Sequence, residues 1–200
     1  DCGFAQLGCY GATIATPAID RLAGGGLRYS NFHVTAMCSP TRACLLTGRN
    51  HHAVGMGYLA DFDTGFDNAR GAVSPQAATL AEMLRDGGYG TYALGKWHLV
   101  PPAECSPVGP FRNWPTQRGF DRFYGFLGGE DDQYAPELWY DQHHVPPPER
   151  EDYHLSEDLV DRAQEFLSDH LTTTPDRPFF LYLAFGACHA PHQAPRAYIE

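Results

Sequence analysis

The chain has 200 residues, of which 43% are hydrophobic and 13% aromatic, a composition that predicts a globular protein with a sizeable core. Its formal net charge of -10 argues against a nucleic-acid partner, because a protein that neutralises phosphates needs a basic face. The longest apolar runs are too short to span a membrane, so we expect no membrane association.

Helix and strand patterns alternate along the chain. The helix patterns, most of them opened by a capping residue or a proline, cover residues 16–23, 39–47, 74–86 and 156–171. The strand patterns cover residues 27–34, 89–94 and 179–185, the last a continuous apolar run typical of a strand buried on both faces. Residues 101–154 are rich in proline, glycine and aspartate, which predicts extended loops.

Three details of the helices are specific enough to test. In the first helix, Ile19 and Leu22 are expected to face the core. In the second, Ser39 is expected to be the N-cap and Pro40 the first helical residue. In the third, Met83 is expected on the buried face.

This alternation predicts an α/β fold with a mostly parallel central sheet and helices on both faces. Ligands of such sheets bind beyond the carboxyl ends of the strands. Side chains that could take part in catalysis or binding come after the strand patterns: Cys38, Lys96, His98 and His189. The sequence therefore predicts that these segments converge on one pocket.

The positive charges point to the same place. The chain has thirteen arginines but a single lysine, Lys96. Lysine offers a compact charge with rotatable donors, whereas arginine offers a planar fork. An anionic ligand needs a local positive site in so acidic a protein, and Lys96 is a candidate for it.

The run over 38–49, Cys-Ser-Pro-Thr-Arg-Ala-Cys-Leu-Leu-Thr-Gly-Arg, resembles the signature of the sulfatase family. The resemblance implies that a formylglycine-generating enzyme oxidises Cys38 to formylglycine, whose hydrate is the nucleophile. Arg42 would anchor that hydrate. A helix beginning near Cys38 would also favour an anionic ester there, because its free N–H groups carry partial positive charge.

Further segments extend the resemblance to bacterial arylsulfatases. Residues 88–98 are similar to the second family signature, which implies that Lys96 contacts the sulfate and His98 serves the catalytic aldehyde. Residues 179–195 look like the family's strand leading to a substrate histidine, at the position of His189. Residues 118–130 look like the segment that follows the second signature.

The start of the chain suggests a metal site. Asp1-Cys2-Gly3-Phe4 looks like the end of an Asp-Asp-Leu-Gly-Phe run whose carboxylates bind a divalent cation, with Cys2 in place of the leucine. The resemblance implies that Asp1 and the modified Cys38 bind one divalent cation. Calcium is the expected ion, and magnesium is the alternative. The resemblance also implies the alkaline-phosphatase-like sulfatase fold, with residues 1–200 as the N-terminal part of the catalytic domain. The first strand would precede this part, and the C-terminal portion would follow it.

The expected activity is hydrolysis of small-molecule sulfate monoesters, as in an arylsulfatase. Three alternatives stay open: a phosphomonoester or phosphonate ester hydrolase of the same superfamily, an inactive fragment, and a structural module that binds zinc through pairs of histidines such as His189 and His192. The six cysteines form no Cys-x-x-Cys pair, which argues against a zinc ribbon or a redox motif. The sequence does not decide the compartment.

Overall fold

The computed structural model describes residues 2–199, and the chain divides into two compact units, Asp1–Val34 and Thr35–Glu200. The predicted metal ligand Asp1 lies outside the described residues. Among the helices that are described, none has both the length and the apolar character needed to cross a bilayer.

The first unit contains one α-helix, α1 (Pro17–Gly24), as the sequence predicted. The Thr16 hydroxyl, just before it, donates a hydrogen bond to the Asp20 carboxylate at 2.8 Å. The predicted buried stripe is wrong, because Ile19 and Leu22 are 44% and 75% exposed. Their spacing defines a common helix face, but α1 has no buried residue.

The strand predicted over 27–34 is also wrong. These residues join no β-ladder, and Leu27, Phe32 and Val34 are strongly exposed. An alternating pattern says only which side chains share a face, whereas a strand also needs a neighbour to pair with. All five strands in the described part of the chain begin at or after Gly90.

The second unit contains three α-helices: α2 (Cys38–Thr47), α3 (Leu80–Asp86) and α4 (Leu155–Thr173). Helix α2 begins earlier than predicted, with Met37 as N-cap and Cys38 as first residue, and it ends at Gly48 in the left-handed conformation. Ser39 is therefore inside the helix, and its hydroxyl accepts a hydrogen bond from the Ala60 N–H at 3.1 Å.

Helix α3 is shorter than predicted. Thr79 and Glu82 form a reciprocal capping box, in which each side chain accepts a hydrogen bond from the other residue's N–H. This cap begins the helix at Leu80 rather than after Ser74. Met83 is 51% exposed, contrary to the prediction, and Ala81 is the buried residue of the helix. Helix α4 agrees with its prediction to within two residues at each end.

The sheet has five strands: β1 (Gly90–Lys96), β2 (Arg122–Phe126), β3 (Leu138–Tyr140), β4 (His143–Val145) and β5 (Phe179–Ala184). Their order is β4-β3-β2-β1-β5. Strand β1 is parallel to both β2 and β5, whereas β3 and β4 add antiparallel pairs at one side. The sheet is thus mixed, with its parallel part around β1.

Two predictions about the strands need correction. Residues 101–154 were expected to be loops, yet they contain β2, β3 and β4. Strand β5 was expected to be buried on both faces, but it is an edge strand among the described residues and Phe179 is 42% exposed. Apolar residues alone do not distinguish a central strand from an edge strand.

Helices cover both faces of the sheet, as predicted. Alternate residues of β1 point to opposite sides, so that Ala93 joins one core and Tyr92 and Leu94 the other, and Trp97, just after the strand, joins the core of Ala93. The first core includes residues of α2 and α3, and the second includes the buried stripe of α4. Together they fix the carboxyl end of β1 relative to the start of α2.

Candidate active site

The start of α2 meets the end of β1. The Sγ atom of Cys38 lies 3.0 Å from Nδ1 of His98, and Lys96 acts electrostatically on the same thiol. Lys96 and His98 are only 3% and 4% exposed. Sixty residues apart in sequence, Cys38 and His98 are therefore direct neighbours, and the single lysine of the chain is buried and acts electrostatically on the sulfur.

Arg42 holds this meeting point together. It lies one helical turn after Cys38, and its Nη1 donates hydrogen bonds to the Lys96 carbonyl oxygen at 2.6 Å and to the Tyr182 hydroxyl at 3.1 Å. Its Nε is buried and has no hydrogen-bond partner among the described residues. Arg42 thus ties α2 to β1 and β5 and keeps one buried donor unused.

The charges make Cys38 acidic for a thiol. Burial alone raises its pKa, but the hydrogen bond with His98 and the electrostatic effects of His98 and Lys96 outweigh burial and lower the pKa from 9.0 to about 6. The pKa of Lys96 is lowered by burial, although the neighbouring Cys38 opposes that shift. Both shifts reflect a desolvated cluster in which one anionic group is strongly favoured.

Two residues that sequence reasoning missed confine His98. Its Nε2 lies 2.7 Å from Oδ2 of Asp61, and a Cβ added to Gly129 would lie 2.6 Å from its Cε1. His98 also has φ of 52°, an uncommon value for a residue with a side chain. No motif marks Asp61, which lies in a loop 37 residues before His98, so only the tertiary structure identifies it.

His189 follows β5, as predicted, but it reaches the cluster through an intermediary. Its Nδ1 is 3.5 Å from Oε2 of Glu130, and Glu130 also acts electrostatically on Lys96. His189 lines a cavity of about 440 Å³ together with Gln133 and Cys188. The contacts therefore place His189 beside Glu130 at the wall of an open cavity.

The described residues do not by themselves form a metal site. Within residues 2–199 there is no group of three or more His, Cys, Asp or Glu side chains placed to hold an ion. The cation predicted for Asp1 and Cys38 is thus not matched by a ligand set in this part of the chain, and we derive no chemical step from it. The zinc-binding alternative based on His189 and His192 receives no support from these residues either.

Comparisons with known proteins agree on one family. A profile described as Sulfatase matches residues 1–200. Arylsulfatase A of Homo sapiens is 34% identical over 223 aligned residues, which cover 100% of this chain and 42% of that protein. Arylsulfatase J of Mus musculus is 32% identical over 212 residues, which cover 100% of this chain and 33% of that protein.

A solved structure agrees with these relatives. The crystal structure of Ps i-CgsB superimposes on 98% of this chain and 45% of its own chain, with a TM-score of 0.81 and 31% identity. The chain spans less than half the length of each of these three proteins. The fold is the predicted α/β fold in its alkaline-phosphatase-like form, and because profile and relatives match from end to end, the chain belongs to the sulfatase family.

Proposed function

We propose that this protein hydrolyses sulfate monoesters, as an arylsulfatase does, with Cys38 oxidised to formylglycine by a formylglycine-generating enzyme. Full-length relatives named arylsulfatases support the reaction class. The observation that carries the proposal is the position of Cys38, the first residue of α2, with its side chain within hydrogen-bond distance of His98 and under the electrostatic influence of the buried Lys96.

A formylglycine hydrate suits this environment. Its geminal diol supplies one hydroxyl to attack sulfur, and a second hydroxyl whose deprotonation lets the aldehyde re-form as sulfate leaves. His98 already reaches the side chain at position 38, and Lys96 acts on it electrostatically. A serine or an unmodified cysteine there would instead stay esterified, because it has no second hydroxyl with which to expel the sulfate.

Lys96 neutralises the transferring group in this proposal. Lys96 is buried and acts electrostatically on the side chain of residue 38, and a buried positive charge stabilises developing negative charge more than one in water does. Arg42 keeps Lys96 in place through the Lys96 carbonyl, and its Nε has no hydrogen-bond partner among the described residues. We propose that this Nε donates to an oxygen on residue 38.

Two histidines move protons. His98 accepts the proton of the second hydroxyl through Nδ1, the atom that lies 3.0 Å from Sγ of Cys38. His189 donates a proton to the departing alcohol or phenol, which would occupy the cavity that His189 lines. A divalent cation, calcium or magnesium, remains part of the proposal through Asp1 and Cys38, but no step here depends on it.

Mass spectrometry of the peptide containing residue 38, taken from natively expressed protein, tests the proposal. We expect formylglycine at position 38 and hydrolysis of 4-nitrophenyl sulfate. Cys38→Ala should abolish turnover, whereas Cys44→Ala, a matched change six residues along the same helix, should retain it. Active protein with unmodified Cys38 would refute the proposal, and faster hydrolysis of 4-nitrophenyl phosphate would favour the phosphatase alternative.

A further inference from the structure

We propose that Asp61 is a positioning residue for the reaction: it keeps the His98 ring oriented so that Nδ1, without a proton, faces the side chain at position 38. The inference rests on the proposed function and adds to it a residue that no sequence motif marks. It begins from a continuous line of contacts, Asp61 Oδ2 to His98 Nε2 at 2.7 Å and His98 Nδ1 to Cys38 Sγ at 3.0 Å.

The chemistry of the two side chains assigns the proton. An ionised carboxylate only accepts hydrogen bonds, so the 2.7 Å contact requires a proton on Nε2 of His98. In the neutral ring the other nitrogen, Nδ1, is then an acceptor. The acceptor faces residue 38, which is the arrangement that a base for the diol's second hydroxyl needs.

The backbone around Asp61 is fixed although its carboxylate is open to water. The preceding residue, Ala60, is 1% exposed, and its N–H donates to the Ser39 hydroxyl in the first turn of α2. The Asp61 side chain is 43% exposed, whereas that of His98 is 6% exposed. Asp61 therefore links a buried ring to solvent from a position that α2 itself determines.

His98 has little freedom to adopt another orientation. Its backbone has a positive φ, and Gly129 packs against the ring so closely that a methyl group there would collide with it. With the ring plane set by this packing, the remaining choice is which nitrogen carries the proton. The Asp61 contact makes that choice, as a carboxylate does in other enzymes that use a histidine base.

A plain surface ion pair is the competing explanation, since half-exposed pairs contribute little to stability. The chain offers a matched control two residues away. Asp63 is 50% exposed and pairs with Arg70 at 3.4 Å in the same loop, so Asp63→Asn makes the same change in charge without contacting His98. Asp61→Asn is isosteric, but an amide can donate as well as accept and so no longer dictates the tautomer.

The experiment compares Asp61→Asn with Asp63→Asn in natively expressed protein, after mass spectrometry has shown equal formylglycine content at position 38. With 4-nitrophenyl sulfate we expect Asp61→Asn to lower kcat by about 10²- to 10⁴-fold while KM changes little, by analogy with other carboxylate–histidine pairs. Asp63→Asn should leave both constants unchanged. Equal kcat values for the two variants would overturn the inference.

A second readout does not depend on turnover. Nitrogen NMR of protein with ¹⁵N-labelled histidine should show the His98 proton on Nε2 in the parent and in Asp63→Asn, and a shift of proton population to Nδ1 in Asp61→Asn. An unchanged His98 tautomer in Asp61→Asn would also overturn the inference. If the parent hydrolyses no sulfate ester, the proposed function fails, yet the NMR result still decides what Asp61 does to His98.

Discussion

The ends of β1 and β5 both deliver a histidine, but under opposite conditions. At the β1 end, residues 95–98, His98 is buried and contacts partners on both ring nitrogens. At the β5 end, residues 184–192, the side chain of His189 is 32% exposed and has a 3.5 Å contact with an exposed Glu130. One histidine is held by the protein interior, and the other stands at the wall of a cavity.

This difference matches the two tasks that we propose. A base for residue 38 always meets the same partner, so it gains from fixed geometry. An acid for the leaving group meets whatever alcohol the substrate carries, so it must stand where that alcohol can enter. We therefore expect changes at the β1 end to reduce activity more than changes at the β5 end.

Among the variants that compare the two strand ends, the largest effect is expected at Lys96. Lys96→Met keeps the length of the side chain but removes its charge, and should lower kcat/KM for 4-nitrophenyl sulfate by about 10³-fold. His189→Ala should cost only about tenfold with this substrate, because 4-nitrophenolate leaves without needing a proton. Steady-state kinetics of both variants decides the order. A larger loss in His189→Ala would break the contrast between the two ends.

Gly129 should come next. Its added methyl group in Gly129→Ala would collide with the His98 ring, and a displacement of this kind should lower kcat by about 10²-fold. Gly128→Ala is the control, because its nearest neighbour would be the Glu130 carbonyl oxygen at an ordinary 3.6 Å. If both variants retain parental kcat, the ring is not confined as the structure indicates.

The acidity of Cys38 is testable in protein expressed without maturation. A lowered pKa means that the thiolate persists above about pH 6, so alkylation by iodoacetamide should rise about tenfold per pH unit below pH 6 and then level off. Cys105 is the internal control, because burial and nearby carboxylates raise its pKa to about 11. A Cys38 midpoint above about pH 8, the range of an ordinary thiol, would contradict the electrostatics of the β1 end.

The smallest effect is expected at Glu130. Glu130→Gln removes a charge that faces His189 from an exposed position, and exposed pairs are worth at most about 1 kcal/mol, or about fivefold in kcat/KM. Asp61→Asn is the same chemical change at the other histidine. If Glu130→Gln were as damaging as Asp61→Asn in parallel kinetic assays, the two ends of the sheet would not differ in the way we describe.

Local patterns predicted much of the fold. Helices α1, α2 and α4 and strands β1 and β5 are present close to their expected positions, because caps, prolines and apolar periodicity act within a few residues. The late start of α3 was also readable, since Thr79 and Glu82 form a capping box that competes with Ser74-Pro75. Of these two helix-start signals, the prediction used Ser74-Pro75, whereas the helix begins after Thr79.

Features that depend on distant partners were not predictable. Strand β2 contains Gly125, which lies opposite Gly95 of β1. Gly95 has a φ of 92°, and a side chain on it would collide with the Ala184 carbonyl. Neither glycine indicates a strand by itself. Residues 27–34 show the opposite case. They have a strand-like pattern, but they form no strand because no neighbouring segment pairs with them.

The residues of the candidate site also fall into two groups, those that the sequence predicted and those that only the fold reveals. Family signatures indicated Cys38, Arg42, Lys96 and His98, and the structure brings these four together. Asp61 lies outside all of these signatures, because it acts on His98 through a contact that only the fold creates. The roles of the signature residues in catalysis stay predictions until the kinetic experiments are done.

The buried hydroxyl of Ser39 gives the segment 38–49 a structural role in addition to the proposed catalytic one. It accepts a hydrogen bond from the N–H of Ala60, the residue before Asp61, and so the same short run that contains the proposed nucleophile also organises a loop more than twenty residues away. If the proposal holds, grafting residues 38–49 onto an unrelated scaffold would transfer the segment in which we propose that the aldehyde forms, but not His98 and Asp61, to which we assign its turnover. We therefore expect a grafted segment to be a substrate for modification but not an active site.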